Sequence, residues 1–281
     1  DPEVVGIGHG LLALFAFLFL FLTFAYFFHQ EPGWNVNSRI CLTFAMVERG
    51  TFQIDYYQQF DELKTEDIAQ YEGNYYSDKI IGTSLLGAIP MLPLHLISAI
   101  TGVELSWDTR RYVVRTFSVS LLAAAAGVVL YSLLLLFGAT NIAALLLSLL
   151  FFFGTQMFSV STVFLSYAPA VFFFLLSYAI IVARRDSLYF WTVFLAGLAL
   201  GASLLCEYTV GIVALGLSIY LIYHLRGRWY YVFVYWGGTW IPLLVFVGYT
   251  LICFGEVAIP YKYLVREEFR QGMSQGFQGI T

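Results

Sequence analysis

The chain has 281 residues, of which 60% are hydrophobic and 11% are charged, and its formal net charge at pH 7 is −4. Because soluble domains carry about 25% charged residues, this composition excludes an ordinary soluble globular protein. The mean hydropathy of +0.78 and the continuous apolar runs predict an all-α fold, a polytopic bundle of about seven transmembrane helices. The strands of a membrane-spanning β-barrel would instead alternate apolar and polar residues.

The distribution of the charges and the positions of the cysteines exclude further classes of protein, whereas the net charge says little about partners. No basic cluster indicates binding to nucleic acid. Cys41, Cys206 and Cys253 are widely separated and lie in apolar surroundings, so they predict neither a disulfide framework nor a CxxC metal site. We interpret them as small hydrophobic residues of membrane helices.

The chain opens with an apolar run and continues into its most polar part. The run covers about residues 9–28 and predicts a first transmembrane helix within 1–29. Residues 29–79 then hold nine of the 18 acidic residues of the chain. We therefore expect residues 30–111 to form an external loop with jaw-like and amphipathic or re-entrant helices.

The rest of the chain is mostly apolar. Residues 112–253 predict a bundle of six further transmembrane helices, with apolar segments at about 112–136, 141–158, 163–183, 188–206, 208–224 and 229–253. Residues 254–281 are expected to be external and to continue into a further C-terminal part. Since the chain also begins at Asp1 without Met, we expect it to be a piece of a longer protein.

Two pairs of arginines predict the orientation in the membrane. Basic residues in short loops mark the cytoplasmic side, and the turns with Arg184 and Arg185 and with Arg226 and Arg228 are separated by two crossings. The acidic loop then faces the opposite side only if the segment at 81–100 does not cross the bilayer.

Two prolines in that segment favour the non-crossing arrangement. Pro90 and Pro93 remove helical hydrogen bonds, so we interpret the segment as a re-entrant helix or a helix lying at the interface. The alternative is a helix that crosses the membrane with a proline kink.

Carboxylates of the external loop are candidates for a general base. Asp67 and Asp78 lie in a stretch rich in tyrosine, which includes Tyr76. A carboxylate near an apolar surface can have a raised pKa and accept a proton from a hydroxyl group. The alternative for each residue is a solvated loop charge.

Basic residues around the same loop are candidates for binding phosphate. Arg110, Arg111 and Arg115 lie before or at the start of the predicted helix at 112–136, and Lys79 directly precedes the segment at 81–100. Arginine binds phosphate through two parallel hydrogen bonds. The alternative is that these arginines pair with nearby Glu104 and Asp108.

A further carboxylate lies between two later apolar segments. Glu207 and Tyr208 occur in LLCEYTVG. An ionisable residue near the membrane interior is a candidate for function, and Arg115 or Lys79 could be its partner. The alternative is that Glu207 lies at the water interface.

Four stretches carry a family resemblance: NSRICLTFAMVERGTFQID, DIAQYEGNYYSDKIIGTSLLGAIP, LLCEYTVG and CFGEVAIPYKY. Together they resemble the GT-C class of membrane glycosyltransferases, near the lipid-carrier-dependent branch with the protein mannosyltransferases and the lipid A aminoarabinose transferase. The second stretch resembles the loop motif in which a Tyr-rich turn, an acidic residue and a lysine precede a short jaw helix.

The resemblance implies a reaction and roles for residues. A sugar would move, with inversion, from a polyprenyl-phosphate donor to an acceptor on the extracytoplasmic face of a prokaryotic cytoplasmic membrane. Asp67 or Asp78 would be the base. The phosphate would bind to basic residues, in some members together with a divalent metal ion. The resemblance does not specify any other cofactor. The residues that match basic positions of the family are Lys79 and Arg115. Arg39 and Arg111 are further candidates for binding the phosphate, and the supporting candidates are Glu207, Tyr208 and Tyr76.

Two departures from the family pattern leave an alternative open. Asn35, Val36 and Asn37 stand where many members have Asp-Glu, and Ile80 and Ile81 replace a frequent proline. The chain could therefore be a non-catalytic structural or assembly subunit of a larger membrane complex. A secondary transporter is a weaker third hypothesis, because its ionisable groups would lie within the spans.

Overall fold

The computed structural model describes residues 2–29, 33–184, 188–225 and 228–274. The structure is 75% helical, which confirms the helical class. Within the described ranges, four helices are long and apolar enough to cross a membrane, namely Gly8–Tyr26, Gly82–Thr101, Trp107–Leu136 and Tyr230–Phe254. The prediction of a helical membrane protein is therefore confirmed.

Most of the helices follow the apolar runs of the sequence. In chain order they are α1 (Pro2–Tyr26), α2 (Trp34–Phe44), α3 (Gly82–Thr101), α4 (Trp107–Arg115), α5 (Leu121–Leu136), α6 (Asn141–Phe153), α7 (Met157–Ser161), α8 (Tyr167–Ala183), α9 (Phe190–Cys206), α10 (Gly211–Leu225), α11 (Tyr230–Phe254) and α12 (Glu267–Ser274). The segment expected as one helix at 141–158 is two helices, α6 and α7.

The helix expected at 112–136 begins earlier than hydropathy indicates. Ser106 is its N-cap, since its Oγ accepts a hydrogen bond from the backbone N–H of Thr109 at 3.2 Å. A π-helical turn at Thr116–Ser120 then joins α4 to α5. Arg110 and Arg111 are therefore inside a helix rather than in the loop before it.

A hairpin that the all-α prediction missed follows the first part of the polar loop. Strands β1 (Ile68–Tyr71) and β2 (Asn74–Ser77) pair antiparallel. Glu72 and Gly73 form the turn, with φ values of 49° and 81°. A two-residue turn with both φ angles positive matches the twist of an antiparallel pair, so this turn fixes the register of the hairpin.

The structure divides into two compact units. The first unit comprises Asp1–Phe28, Val119–Thr162 and Ser166–Leu244. In it α8 packs on α5 and α9, and α1 packs on α5 and α6. Glycines allow α9 and α11 to pack so closely that their backbones are in contact. A Cβ on Gly197 would lie 1.9 Å from the carbonyl oxygen of Tyr235.

In the turns of this first unit, the structure describes two of the four arginines that predict the orientation in the membrane. Arg184 and Arg228 are exposed, whereas Arg185 and Arg226 lie outside the described residues.

The second unit comprises His29–Ser118, Val163–Leu165 and Val245–Thr281. Here α3 packs on α2 and α4, and β2 packs on α2. The helix α3 is continuous through Pro90 and Pro93. Lys79 and its contacts Asp67, Asp78 and Tyr261 belong to this unit.

Candidate functional site

Three charged residues predicted from the sequence are in direct contact. The Nζ of Lys79 lies 2.8 Å from Asp67 Oδ2 and 2.7 Å from Asp78 Oδ2. The side chains of Lys79 and Asp78 are 7% and 3% exposed, whereas that of Asp67 is 22% exposed. We call these three residues the Lys79 cluster.

The hairpin brings the cluster together. Its register pairs Ile68 with Ser77, so Asp67 directly precedes one paired residue and Asp78 directly follows the other. Antiparallel pairing places two such residues opposite each other. Asp67 and Asp78, eleven positions apart in the sequence, therefore meet at the open end of the hairpin, where Lys79 begins the approach to α3.

Two serines that the sequence did not indicate support the cluster. The hydroxyl of Ser38, on α2, donates to Asp78 Oδ1 at 3.2 Å and lies 2.7 Å from the Ser77 hydroxyl. The Ser77 hydroxyl accepts the backbone N–H of Lys79 at 3.2 Å. Both serines are fully buried, so they hold the carboxylate and the lysine backbone in fixed positions.

Burial dominates the electrostatics of Asp78. It raises the pKa of this carboxyl, and the adjacent Lys79 ammonium opposes the rise. The negative charge of Asp67 adds to the rise, and the positive charge of Arg39 opposes it. A carboxylate with a raised pKa next to an ammonium group is suited to accept and return a proton.

The segment after α11 returns to the cluster. The ring of Tyr261 lies 5.6 Å from Lys79 Nζ. Farther along, Leu264 forms a β-bridge with Ala69, and the N–H of Val265 donates to the Ile68 carbonyl at 3.1 Å. The segment from Tyr261 to Val265 therefore packs beside the cluster and the hairpin, and no local sequence signal specifies this position.

Arg39 is buried beside the cluster. Its Nη1 donates to the backbone oxygen of Asn35 at 3.2 Å and also contacts the Asn35 side chain. Its charge is close enough to influence the pKa of Asp78. Arg39 is thus the second cation of this site, oriented by Asn35.

Arg111 and Asn37 contact a different part of the loop. Arg111 pairs with Asp108 and donates to the carbonyl oxygen of Glu62 at 3.3 Å. The Asn37 amide donates to the carbonyl oxygens of Glu62 and Lys64 at 3.2 and 3.0 Å. An aspartate has no N–H to donate, so an aspartate in place of Asn37 could not make these two hydrogen bonds.

The remaining arginines of α4 have aromatic contacts. Arg110 pairs with Glu48 at 2.7 Å and lies 4.6 Å from the centre of the Trp107 ring. Arg115 is buried and lies 5.2 Å from the centre of the Tyr112 ring.

Tyr76 contributes apolar packing near the cluster. It is buried in β2, and its ring centre lies 5.4 Å from that of Phe254. This ring contact joins the hairpin to the end of α11.

Glu207 and Tyr208 belong to the first unit. The Ser166 hydroxyl donates to Glu207 Oε2 at 2.7 Å, and Glu207 Oε1 accepts the Thr209 hydroxyl at 3.1 Å. Glu207 therefore caps the turn after α9. Tyr208 is exposed.

The residues of the Lys79 cluster do not fit a divalent metal ion. The Lys79 ammonium lies between the two carboxylates, where a cation would have to bind. Among the residues that the structure describes, no group of three acidic, histidine or cysteine side chains could hold a metal ion. We therefore assign no metal to this site.

Neither a known protein family, nor a curated protein, nor a solved structure matches this chain. The class that the fold defines is a helical membrane protein. The feature of the structure that bears on its function is the Lys79 cluster.

Proposed function

We propose that the chain belongs to a membrane glycosyltransferase that moves a sugar from a polyprenyl-phosphate donor to an acceptor on the extracytoplasmic face. The observation that carries the proposal is the buried contact of Lys79 with Asp67 and Asp78 directly before the apolar helix α3. An ammonium group and a carboxylate held together at the start of a membrane helix supply a phosphate ligand and a general base.

Each residue of the Lys79 cluster has a role in this reaction. Asp78 accepts the proton of the acceptor hydroxyl as its oxygen bonds to the sugar carbon. The bond from that carbon to the phosphate oxygen breaks with inversion, and the polyprenyl phosphate leaves with the electron pair. Lys79, assisted by Arg39 and Arg115, stabilises the charge on the phosphate. Asp67, the more exposed carboxylate, gives up its contact with Lys79 when the phosphate binds.

The arrangement in the membrane is part of the proposal. In this chain about seven helices span the membrane, α3 is re-entrant or lies along the interface, and the active face is outside a prokaryotic cytoplasmic membrane. The positive-inside rule supports it, because Arg184 and Arg228 are at turns. Labelling of Ser106→Cys in intact cells tests it: external labelling supports the proposal, and labelling only after permeabilisation contradicts it.

Sugar transfer tests the chemistry. The full-length protein is reconstituted in liposomes and supplied with radiolabelled sugars on polyprenyl phosphates. We expect transfer by the wild type and its loss in the double variant Asp67→Asn/Asp78→Asn. The control is Asp61→Asn, an exposed acid of the same loop, which should retain the wild-type rate. Transfer by the double variant at the wild-type rate would contradict the proposed roles.

The second candidate is a non-catalytic subunit of a larger membrane complex. The observation that favours it is the pairing of Lys79 with two carboxylates, which neutralises its charge within the protein. Extraction in a mild detergent tests this candidate. A stable complex that forms equally well with the wild type and with Asp78→Asn, together with no sugar transfer, would support it.

A further inference from the structure

A second feature of the loop unit is a cavity of about 770 Å³ beside the C-terminal half of α3. This volume is within the range of pockets that hold small ligands. Its lining shares no residue with the Lys79 cluster. A ligand bound in this cavity is therefore independent of the proposed glycosyltransferase reaction.

The C-terminal half of α3 has two different faces. Met91, Leu94, His95 and Ser98 follow the helical spacing of one face and line the cavity. Large apolar side chains on the rest of the helix are exposed, namely Ile89, Leu92, Leu96, Ile97 and Ile100. The cavity thus opens beside a surface suited to acyl chains, so an amphiphilic ligand fits better than a soluble one.

A held ion pair forms one polar part of the cavity. Arg110 Nη1 lies 2.7 Å from Glu48 Oε1, with both side chains less than one fifth exposed. The hydroxyl of Tyr57 donates to the other Glu48 oxygen at 2.8 Å, and Arg110 lies against the ring of Trp107. These contacts fix the positions of one positive and one negative group at the cavity wall.

The lining contains a second acidic side chain. Glu104 lines the cavity and is exposed, and His95 lines the cavity from α3. The acidic and arginine side chains of the lining are two carboxylates and one guanidinium. An anionic headgroup would bring a further negative charge to the carboxylates, whereas a headgroup with both a phosphate and an ammonium complements both signs.

We propose that this cavity binds the headgroup of a phospholipid that carries a primary ammonium. The ammonium donates hydrogen bonds to Glu104 and Glu48, and the phosphate accepts them from Arg110. The acyl chains lie along the exposed apolar side chains of α3. A primary ammonium is required because a quaternary one has no N–H for the carboxylates.

Lipid retention tests this site. The full chain is purified, exchanged into nanodiscs of equal parts phosphatidylethanolamine, phosphatidylcholine and phosphatidylglycerol, and released for native mass spectrometry. We expect phosphatidylethanolamine to be retained about tenfold over each of the other two, as for a charge-assisted hydrogen bond. Equal retention of the three lipids, or preference for either of the others, would overturn the proposal.

Two variants and a control connect the retention to the cavity. Glu104→Gln removes an exposed charge without disturbing the fold and should abolish most of the preference. Ala99→Phe places a ring in the cavity and should lower the number of retained lipids. Glu268→Gln, an exposed glutamate outside the lining, should behave as the wild type. A preference unchanged in both Glu104→Gln and Ala99→Phe would place the bound lipid elsewhere and refute the site.

Discussion

Replacement of Lys79 by methionine tests the Lys79 cluster through stability. Methionine keeps much of the apolar stem of lysine but removes the ammonium that lies between Asp67 and Asp78. Both carboxylate oxygens are within 2.8 Å of Lys79 Nζ, so they are at most about 5.5 Å apart. At an effective dielectric constant of about 20, two negative charges at that distance repel by about 3 kcal/mol. We therefore expect Lys79→Met to unfold roughly 5–10 °C below the wild type at pH 7.

The pH dependence of this loss has a defined sign. Burial already raises the pKa of Asp78, and Lys79 opposes the rise, so removing Lys79 raises that pKa further. A carboxyl whose pKa is higher in the folded state stabilises the fold below its unfolded pKa, and this stabilisation is lost as pH rises through the folded pKa. The deficit of Lys79→Met should therefore shrink on acidification, and Lys79→Met/Asp78→Asn should recover much of it at pH 7.

Thermal unfolding in nanodiscs, followed by tryptophan fluorescence between pH 5 and pH 8, measures these effects. The matched control is Lys64→Met, an exposed lysine of the same loop, which should change the free energy of unfolding by less than about 0.5 kcal/mol. If Lys79→Met and Lys64→Met unfold at the same temperature at pH 7, the charge arrangement described here is refuted.

Three further predictions concern packing and loop geometry. Gly238→Ala should destabilise the protein by about 1–3 kcal/mol, because its Cβ would lie 2.3 Å from a carbonyl oxygen of α9. The control is the neighbouring Gly237→Ala, whose Cβ meets open space and which should keep the wild-type stability. Equal unfolding temperatures for the two variants would contradict the close packing of α9 and α11. Asn37→Asp should lower the free energy of unfolding by about 3 kcal/mol, because it removes the N–H donors to two loop carbonyls and buries a carboxylate. Wild-type stability in the same thermal assay would contradict the role of Asn37 in holding the loop. Burial raises the pKa of the Cys41 thiol, so its alkylation at pH 8, followed by mass spectrometry, should be at least about 100-fold slower in the folded than in the denatured chain, and equal rates would contradict its burial.

The sequence predicts the apolar helices well because burial in a bilayer demands long apolar runs. It predicts helix starts less well, since α4 begins with the charged turn after Ser106, where hydropathy is low. Ser106 followed by Asp108 in the first turn is a recognisable capping signal. Attention to caps in addition to hydropathy would have found this start.

The site is predictable in part from local spacing. Asp67 and Asp78 are equally distant from the turn at Glu72 and Gly73, so a hairpin centred there would have predicted their meeting. The contribution of Tyr261 depends on contacts between residues that are distant in the sequence, and no local pattern encodes it. Arg111 pairs with Asp108, the alternative that the three-residue spacing on a helix allows.

The rate of sugar transfer by Asp78→Asn tests the central claim most directly. Initial rates are compared with those of Asp61→Asn, in the same liposomes and with the same polyprenyl-phosphate donor. If Asp78 is the general base, its variant should be slower by at least about 100-fold, while Asp61→Asn keeps the wild-type rate. Equal rates for the two variants, or no transfer by the full-length wild type from any polyprenyl-phosphate donor, would contradict the account.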